Sequence, residues 1–261
     1  MRPAVPILMY HQVTPTPLPV FRKYTLTPRQ FAAQMRWLAA RGYRSILPGD
    51  LLAAREGRTA LPRRPVMITF DDGFRDSAVH AGPLLRAHGL TAVFYLVAGL
   101  VGSTSAWLRA ERGVELPLFD WNAARALERQ GFACEAHSLT HPRLTALDED
   151  GCRRELAESR RILERELGRE VRHLAYPFGA YDEGVRRIAV EAGYRTACSV
   201  RPGLSGAADD PLALHRVPVS GHDSLVDFVC RLRTARTLAE SLGRAGARLR
   251  RLAGLSAREH R

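Results

Sequence analysis

Short apolar runs alternate with helical stretches along the chain, and this alternation predicts the architecture. Seven short, mostly apolar runs predict buried strands at residues 5–10, 66–70, 91–97, 132–136, 172–176, 194–200 and 214–219. Apolar residues at helical spacing, with capping and stop residues, predict helices at 28–41, 120–131, 148–168 and 185–192. Strand and helix units that repeat without a second cluster of strands indicate a parallel sheet covered by helices. Seven or eight such units fit a closed or nearly closed β/α barrel.

The pattern also predicts the domain organisation. No Gly/Ser-rich linker or short repeat divides the chain, so we expect one α/β domain over residues 1–233. Residues 101–118 have no clear periodicity, and we predict a loop insertion there. Residues 234–261 are rich in Arg, Ala, Leu and Gly, which indicates a loosely attached, Arg-rich helical tail.

Composition excludes several protein classes. With 46% hydrophobic and 25% charged residues, the 261-residue chain is of ordinary globular composition rather than disordered or fibrous. No run approaches the ~18 apolar residues of a membrane-spanning helix. The first residues lack a small-residue cleavage site, so we expect no secretory signal peptide and a cytoplasmic protein. Four scattered cysteines without a C-x-x-C pair predict reduced, buried thiols: Cys134, Cys152, Cys198 and Cys230.

The net charge of +12 is concentrated at one end of the chain. Lys23 is the only lysine, and residues 231–261 carry nine arginines against Glu240 and Glu259. Such a tail can touch anionic lipid at a membrane surface or an anionic polymer, and a solvated helix face is the simpler interpretation. No nucleic-acid recognition motif accompanies the charge, so we do not expect nucleic-acid binding. The sequence does not predict an oligomeric state.

The stretch VMITFDDG, residues 66–73, carries the strongest chemical signal. A buried strand ends there in Asp71, Asp72 and Gly73. In α/β barrels the reactive groups project from the carboxyl ends of strands. Adjacent strand residues point to opposite faces, so both carboxylates serve one site only if the chain turns between them, and Gly73 supplies the freedom to turn. The alternative is a simple Asp-Gly turn that ends a strand.

A second strand end carries two histidines. His137 follows the run at 132–136, and His141 lies four residues later, a spacing that one helical turn or tight loop brings to one face. Two imidazoles and one carboxylate make a three-ligand hydrolytic metal site with open positions for water. Glu135 shares a strand face with His137, and it either orients that histidine or forms a salt bridge with a nearby arginine.

A third strand end reads HLAYPFGAYD, residues 173–182. Pro177 and Gly179 predict a turn whose backbone N–H groups face the site. The aromatic residues Tyr176, Phe178 and Tyr181 would then form a wall beside it. An ordinary aromatic-proline turn is the alternative.

In this order and spacing, TFDDG, HSLTH and YPFG resemble the polysaccharide deacetylase family, which is carbohydrate esterase family 4 or the NodB homology domain. The resemblance spans roughly residues 5–230 and implies a distorted (β/α)7 barrel. It implies that Asp71 is the catalytic base and that the metal ligands are Asp72, His137 and His141. It further implies that the backbone N–H of Phe178, within the turn from Tyr176 to Gly179, stabilises the oxyanion.

The activity implied by the resemblance is hydrolysis of an N-acetyl group on an amino sugar, with acetate released. The glycan would be a polysaccharide, an oligosaccharide or a lipid-linked precursor, and the cofactor a divalent ion, most often zinc. Two alternatives remain on the same fold. One is hydrolysis of another non-peptide amide, such as a formamido sugar or a ureide, and the other is a catalytically silent, carbohydrate-binding barrel.

The chain departs from the family pattern in the groups around the base. Ala175 stands where the usual third motif has an arginine, and Arg216 is a candidate replacement as the partner of Asp71. The usual late histidine motif is imperfect, although His215 lies in the right region. The MYHQV stretch instead resembles the exopolysaccharide deacetylase branch, which has a histidine just after the first strand. We therefore expect His11 to be the general acid, with His215 as the second candidate.

Overall fold

A barrel of seven parallel strands forms the centre of the protein in the computed structural model, which describes residues 4–244. Its strands are β1 (Ile7–Tyr10), β5 (Pro65–Phe70), β6 (Val93–Leu96), β7 (Ala133–Ala136), β8 (His173–Ala175), β9 (Thr196–Pro202) and β10 (Leu214–Pro218). Around the ring the order is β1-β10-β9-β8-β7-β6-β5, and β5 pairs with β1 to close it. Three two-residue strands complete the set: β2 (Gln12–Val13), β3 (Thr25–Leu26) and β4 (Arg44–Ser45).

Helices connect the strands and cover the barrel. They are α1 (Pro28–Ala40), α2 (Pro48–Arg55), α3 (Arg75–Ala87), α4 (Ala106–Arg112), α5 (Trp121–Arg129), α6 (Glu149–Leu167), α7 (Glu183–Glu191) and α8 (Leu225–Thr234). Side-chain caps fix several starts, because Asp120, Asp148 and Asp182 each accept a hydrogen bond from a backbone N–H of the first turn. Gly168 ends α6 in the left-handed conformation that favours glycine.

The predicted barrel is confirmed, and the seven predicted strands coincide with the seven barrel strands to within a few residues. The expectation of a simple loop at 101–118 is wrong, because this insertion contains α4. Its apolar residues, among them Leu108, Leu116 and Leu118, pack with Phe21 and Phe74 in a small cluster of their own. The insertion is therefore a structured wall beside the barrel.

Strand alternation divides the core into an inner and an outer layer. On β5, Val66, Ile68 and Phe70 pack outwards in the large cluster that the helices cover. Met67 belongs to the cluster inside the barrel, and Thr69 forms hydrogen bonds there. The next residue on the inner face is Asp71, so the strand places this carboxylate at the top of the barrel interior.

Other expectations about organisation are met in part. The four cysteines are free thiols, and three of them are buried. Among the described residues no helix is long and apolar enough to cross a membrane. The predicted tail begins at the end of α8, where residues 234–244 are described and residues 238–244 are helical. The rest of that tail lies outside the described residues, and the boundary at residue 233 stays a prediction.

Candidate metal centre and active site

A cleft of about 930 Å³ opens at the carboxyl ends of the barrel strands. Asp71 and Asp72 come directly after β5, and His137 comes directly after β7. These three side chains and His141 are buried and line the floor of the cleft. The structure therefore brings the two motifs singled out in the sequence together at one end of the barrel.

The turn between the two carboxylates occurs at Asp72 itself. Asp72 has a φ of 75° and Gly73 a φ of 77°, so both residues adopt the left-handed conformation. A Cβ at residue 73 would also meet Leu96 at 3.2 Å, which adds a spatial reason for glycine. The turn directs Asp71 and Asp72 into the same cleft, as the sequence argument required.

Asp72, His137 and His141 have the geometry of a metal site. The Nε2 atoms of both histidines lie 3.3 Å from Oδ1 of Asp72. All three candidate ligand atoms fall within 4.8 Å of one another. A tetrahedral ion with bonds of about 2.0–2.1 Å separates its ligand atoms by roughly 3.3–3.4 Å. Both separations between Asp72 and a histidine match this value, so the buried group is arranged to hold a divalent ion.

The tautomer of His137 supports the same interpretation. Its Nδ1 lies 2.7 Å from the carbonyl oxygen of Ala175, which can only accept, so Nδ1 carries the proton. In the neutral ring, Nε2 then presents a lone pair to the carboxylate oxygen of Asp72. Two lone pairs at this distance repel unless a cation lies between them, and a hydrogen-bonded Nδ1 is typical of a ligating histidine.

The electrostatics of the group also favour bound positive charge. Burial opposes charge on each member, yet protons on the Nε2 atoms of His137 and His141, which take the place of a cation, lower the pKa of Asp72 through hydrogen bonds. Burial lowers the pKa of His137, but the neighbouring Asp72 outweighs burial and raises that pKa. At His141 burial prevails and lowers the pKa, which keeps this imidazole neutral and free to ligate near pH 7.

Glu155 on α6 fixes the loop that carries the second histidine. Its Oε2 accepts hydrogen bonds from the backbone N–H groups of Leu139 and Thr140, each at 2.9 Å, and its Oε1 accepts from the Thr140 hydroxyl at 2.6 Å. Ser138 Oγ accepts from the N–H of His141 at 3.0 Å. The loop is therefore held at every residue, and Glu155 is a contributor that the local sequence did not reveal.

Arg216 on β10 pairs with Asp71, which confirms the candidate replacement for the missing arginine. Its Nη1 and Nη2 donate to the two carboxylate oxygens of Asp71, each at 2.7 Å. Nε donates to the carbonyl oxygen of Ser199, and the side chain is fully buried. Burial raises the pKa of Asp71, but the charge of Arg216 outweighs it and holds that pKa below its usual value. Asp71 is thus kept ionised.

The two candidate acids lie in different places. His11, between β1 and β2, lines the cleft and packs edge-on against Tyr24 at 4.9 Å between ring centroids. Burial lowers its pKa, and the nearby carboxylates Asp72 and Asp71 only partly offset this. His215 alternates with Arg216 along β10, packs against Gly203 and is not among the residues that line the cleft.

The turn after β8 brings only part of the predicted aromatic wall to the cleft. Phe178 lines it, with its ring 4.7 Å from that of His141 and a left-handed φ of 57°. Tyr176 instead packs outside the barrel, where it stacks on Tyr181 and donates its hydroxyl to the carbonyl oxygen of Leu212. Pro177 is buried, and Gly179 is required because a Cβ there would lie 2.5 Å from Val200.

Trp107, on α4 of the insertion, stacks on His141 with ring centroids 4.4 Å apart, a contact that no sequence pattern indicated.

Of the two roles considered for Glu135, the structure shows the salt bridge with an arginine, because its Oε1 lies 2.9 Å from Arg169. Its Oε2 accepts from the N–H of His173. Burial raises the pKa of Glu135 to about 7, against the opposing charge of Arg169.

Comparison with known proteins finds relatives that are described as deacetylases. The sequence profile described as polysaccharide deacetylase matches residues 58–197, more than half of the chain. YxkH of Bacillus subtilis, named for the polysaccharide deacetylases, is 26% identical over 218 residues, which are 83% of this chain and 71% of that protein. The poly-beta-1,6-N-acetyl-D-glucosamine N-deacetylase of Staphylococcus aureus is 21% identical over 188 residues, 69% of this chain and 62% of that protein.

Solved structures share the architecture. The Streptococcus pyogenes deacetylase PplD, solved in complex with acetate, superimposes with a TM-score of 0.78 over 89% of this chain and 100% of that chain. Its sequence identity to this chain is 22%, and at that level the likeness establishes the fold alone.

Proposed function

The chain belongs to the polysaccharide deacetylase family, and from this premise we propose that it hydrolyses the N-acetyl group of an amino sugar in a glycan in a metal-dependent reaction. The observation that carries the proposal is the buried group of Asp72, His137 and His141 with the Asp71–Arg216 pair beside it. A decayed, merely sugar-binding barrel would have no need to retain a buried carboxylate and two converging imidazoles, because unpaired buried charge is costly.

Asp72, His137 and His141 would hold the ion, and zinc suits this set of two imidazoles and one carboxylate. When bound, a divalent ion lowers the pKa of water and stabilises negative charge that develops on the carbonyl oxygen. The buried floor of the cleft keeps the three ligands in place before the ion arrives. The Nδ1–H of His137 fixes the orientation of that ring, and the hydrogen bonds of Glu155 fix the loop that carries His141.

In the proposed reaction Asp71 accepts a proton from the attacking water, while the oxygen of that water forms a bond to the acetyl carbon. Arg216 keeps the carboxylate ionised and fixes its plane through two hydrogen bonds. The backbone N–H of Phe178 donates to the oxyanion of the tetrahedral intermediate. His11 then gives its proton to the sugar nitrogen as the C–N bond breaks, so acetate and a free amine leave.

A substrate panel with a chelator arm tests the proposal. The chain is incubated with N-acetylglucosamine oligosaccharides, lipid-linked N-acetyl sugars, a formamido sugar and a ureide, and both acetate and free amine are measured. We expect acetate and amine in equal amounts from at least one N-acetylated glycan, loss of turnover with chelator, and recovery with zinc. Turnover of only the formamido sugar or the ureide would assign the alternative amide. Binding without any turnover by the zinc-loaded chain would indicate the silent barrel.

His11→Ala should lower kcat on an N-acetylated glycan by about 10²-fold or more, since an amine leaves poorly without a proton. The same variant should hydrolyse para-nitrophenyl acetate at nearly the wild-type rate, because that leaving group departs unprotonated. The two substrates therefore separate loss of the acid from loss of the fold. His215→Ala is the matched control and should retain glycan turnover. The reverse result for the two variants would make His215 the acid.

A further inference from the structure

Positive side chains line the mouth of the cleft. They are Lys23, Arg112, Arg143, Arg231, Arg236 and Arg244. Besides Asp71 and Asp72 on the floor, the acidic residues that line the cleft are Glu111 and Glu240. Because Arg216 neutralises Asp71 and Asp72 lies between two imidazoles, the floor does not balance the positive charge at the mouth.

Most of these cations have no carboxylate partner among residues 4–244, whereas two arginines on the outer helices each have two. On α6 and α7, Arg153 and Arg187 each bridge Glu149 and Glu191. Among the cleft cations, Arg231 has carboxylate partners in the described part of the chain, with Asp223 at 2.8 Å and Glu240 at 4.0 Å. Within residues 4–244, no carboxylate oxygen lies within 4.0 Å of the charged nitrogens of the others: Lys23, Arg112, Arg143, Arg236 and Arg244.

Aromatic rings hold several of these cations in place. The guanidinium of Arg143 lies 4.3 Å from the centroid of Phe178. Arg112 lies 5.0 Å from the ring of Tyr24, and its Nη2 is 3.4 Å from the hydroxyl of Tyr24. An arginine stacked on a ring keeps its N–H donors directed outwards and loses little freedom when it binds an anion. The cleft therefore presents oriented guanidinium donors that suit phosphate or carboxylate.

The start of the C-terminal segment completes this positive rim. Ala235 ends α8 with a left-handed φ of 57°, which redirects the chain. The N–H of Leu238 donates to Oδ1 of Asp227 at 3.2 Å, and the carboxylate of Glu240 lies 4.0 Å from Nη1 of Arg231. These contacts hold residues 235–244 against the body, so that Arg236 and Arg244 line the cleft.

We propose that the glycan substrate is anionic and that its phosphate or carboxylate groups bind the unpaired cations at the mouth while one N-acetyl group reaches the floor. The cations at the opening outnumber Glu111 and Glu240, so they repel one another, and a neutral oligosaccharide would leave that repulsion in place. An anionic chain relieves it along the whole rim. This inference rests on the proposed function and narrows its substrate class.

Direct binding tests the charge preference independently of turnover. Calorimetry on the zinc-loaded chain would compare a neutral chito-oligosaccharide with two anionic N-acetylated oligosaccharides of equal length, one phosphorylated and one carrying uronic acids, at low and high salt. We expect the anionic sugars to bind about tenfold more tightly or better at low salt and to lose this advantage at high salt. The better of the two identifies phosphate or carboxylate as the group that is bound.

Charge variants locate the effect. Arg112→Gln and Arg236→Gln should each weaken the anionic sugars roughly two- to fivefold and leave the neutral sugar unchanged. Arg187→Gln removes the same charge on the outer face of α7 and should change neither. Equal binding of neutral and anionic sugars overturns the inference while leaving the proposed deacetylation intact. Tighter binding of an oligonucleotide of equal charge also overturns it, because the rim would then recognise phosphate without the sugar.

Discussion

Asp71→Asn should reduce acetate release from an N-acetylated glycan by about 10²- to 10⁴-fold, the range expected for loss of a general base. Asn keeps the shape and one acceptor for Arg216 but cannot take a proton from water. Asp72, His137 and His141 are untouched, so zinc content measured by elemental analysis should stay at the wild-type value. Full activity in this variant would refute the assignment of Asp71 as the base.

The Asp71–Arg216 pair requires a control for folding. Removing one charge of a buried pair leaves the other unpaired, and such a change costs on the order of 3 kcal/mol of folding free energy. Thermal melting of Asp71→Asn therefore accompanies the kinetics. The double variant Asp71→Asn with Arg216→Met removes both charges and should recover stability without recovering activity. A double variant as active as the wild type would contradict the proposed base in the same way as the single variant.

The barrel strands were predictable because each is a short apolar run bounded by turn residues, and the barrel buries both faces of each strand. The floor of the site was predictable for a related reason. Asp71, Asp72 and His137 follow their strands directly, and the carboxyl ends of parallel strands meet at one end of a barrel. The chemistry at these positions is local in the sequence, so a motif of five residues suffices to find it.

The walls of the cleft were not predictable in the same way. Trp107 reaches His141 from an insertion that has no periodic pattern of its own, and Glu155 reaches the histidine loop from the buried face of α6. Arg236 lies at the cleft only because the chain changes direction at Ala235. Each contact depends on tertiary packing between distant segments, and no spacing along the chain encodes it. Arg216 could be anticipated because the missing arginine at Ala175 left a carboxylate that needed a partner.

Backbone strain marks the same region. In residues 4–244, the non-glycine residues with positive φ are Asp72, Ser138, His141, Phe178 and Ala235. Asp72, Ser138 and His141 form the floor of the cleft or its histidine loop, Phe178 lines the cleft from the turn after β8, and Ala235 begins the segment along its mouth. Each such conformation costs about 1–3 kcal/mol for an ordinary side chain and persists only where the surroundings enforce it. Glu155 and the Asp72–Gly73 turn supply that enforcement here, so the ligand atoms converge before an ion binds.

His141→Ala should abolish tight metal binding, because two remaining ligands cannot hold the ion against a chelator. Zinc should be lost on dialysis, and added zinc should no longer raise the melting temperature as it does when an ion binds only the native state. His141 has a φ of 68°, so His141→Asn, whose side chain tolerates this conformation, is the companion that separates ligand loss from backbone strain.

Glu155→Gln should give an intermediate loss of metal affinity in the same experiment. It keeps every ligand but weakens the hydrogen bonds that hold the loop, and we expect metal affinity to fall about 10- to 100-fold, as for other groups that orient ligands. His11→Ala should retain wild-type affinity, since His11 lines the cleft but is not part of the ligand group. Undiminished zinc in His141→Ala would refute the ligand set. The ligand assignment predicts that the loss of zinc affinity is greatest in the His141 variant, smaller in the Glu155 variant and absent in the His11 variant. Equal losses of zinc affinity in the variants of His11 and His141 would instead indicate a general response to any change in the cleft.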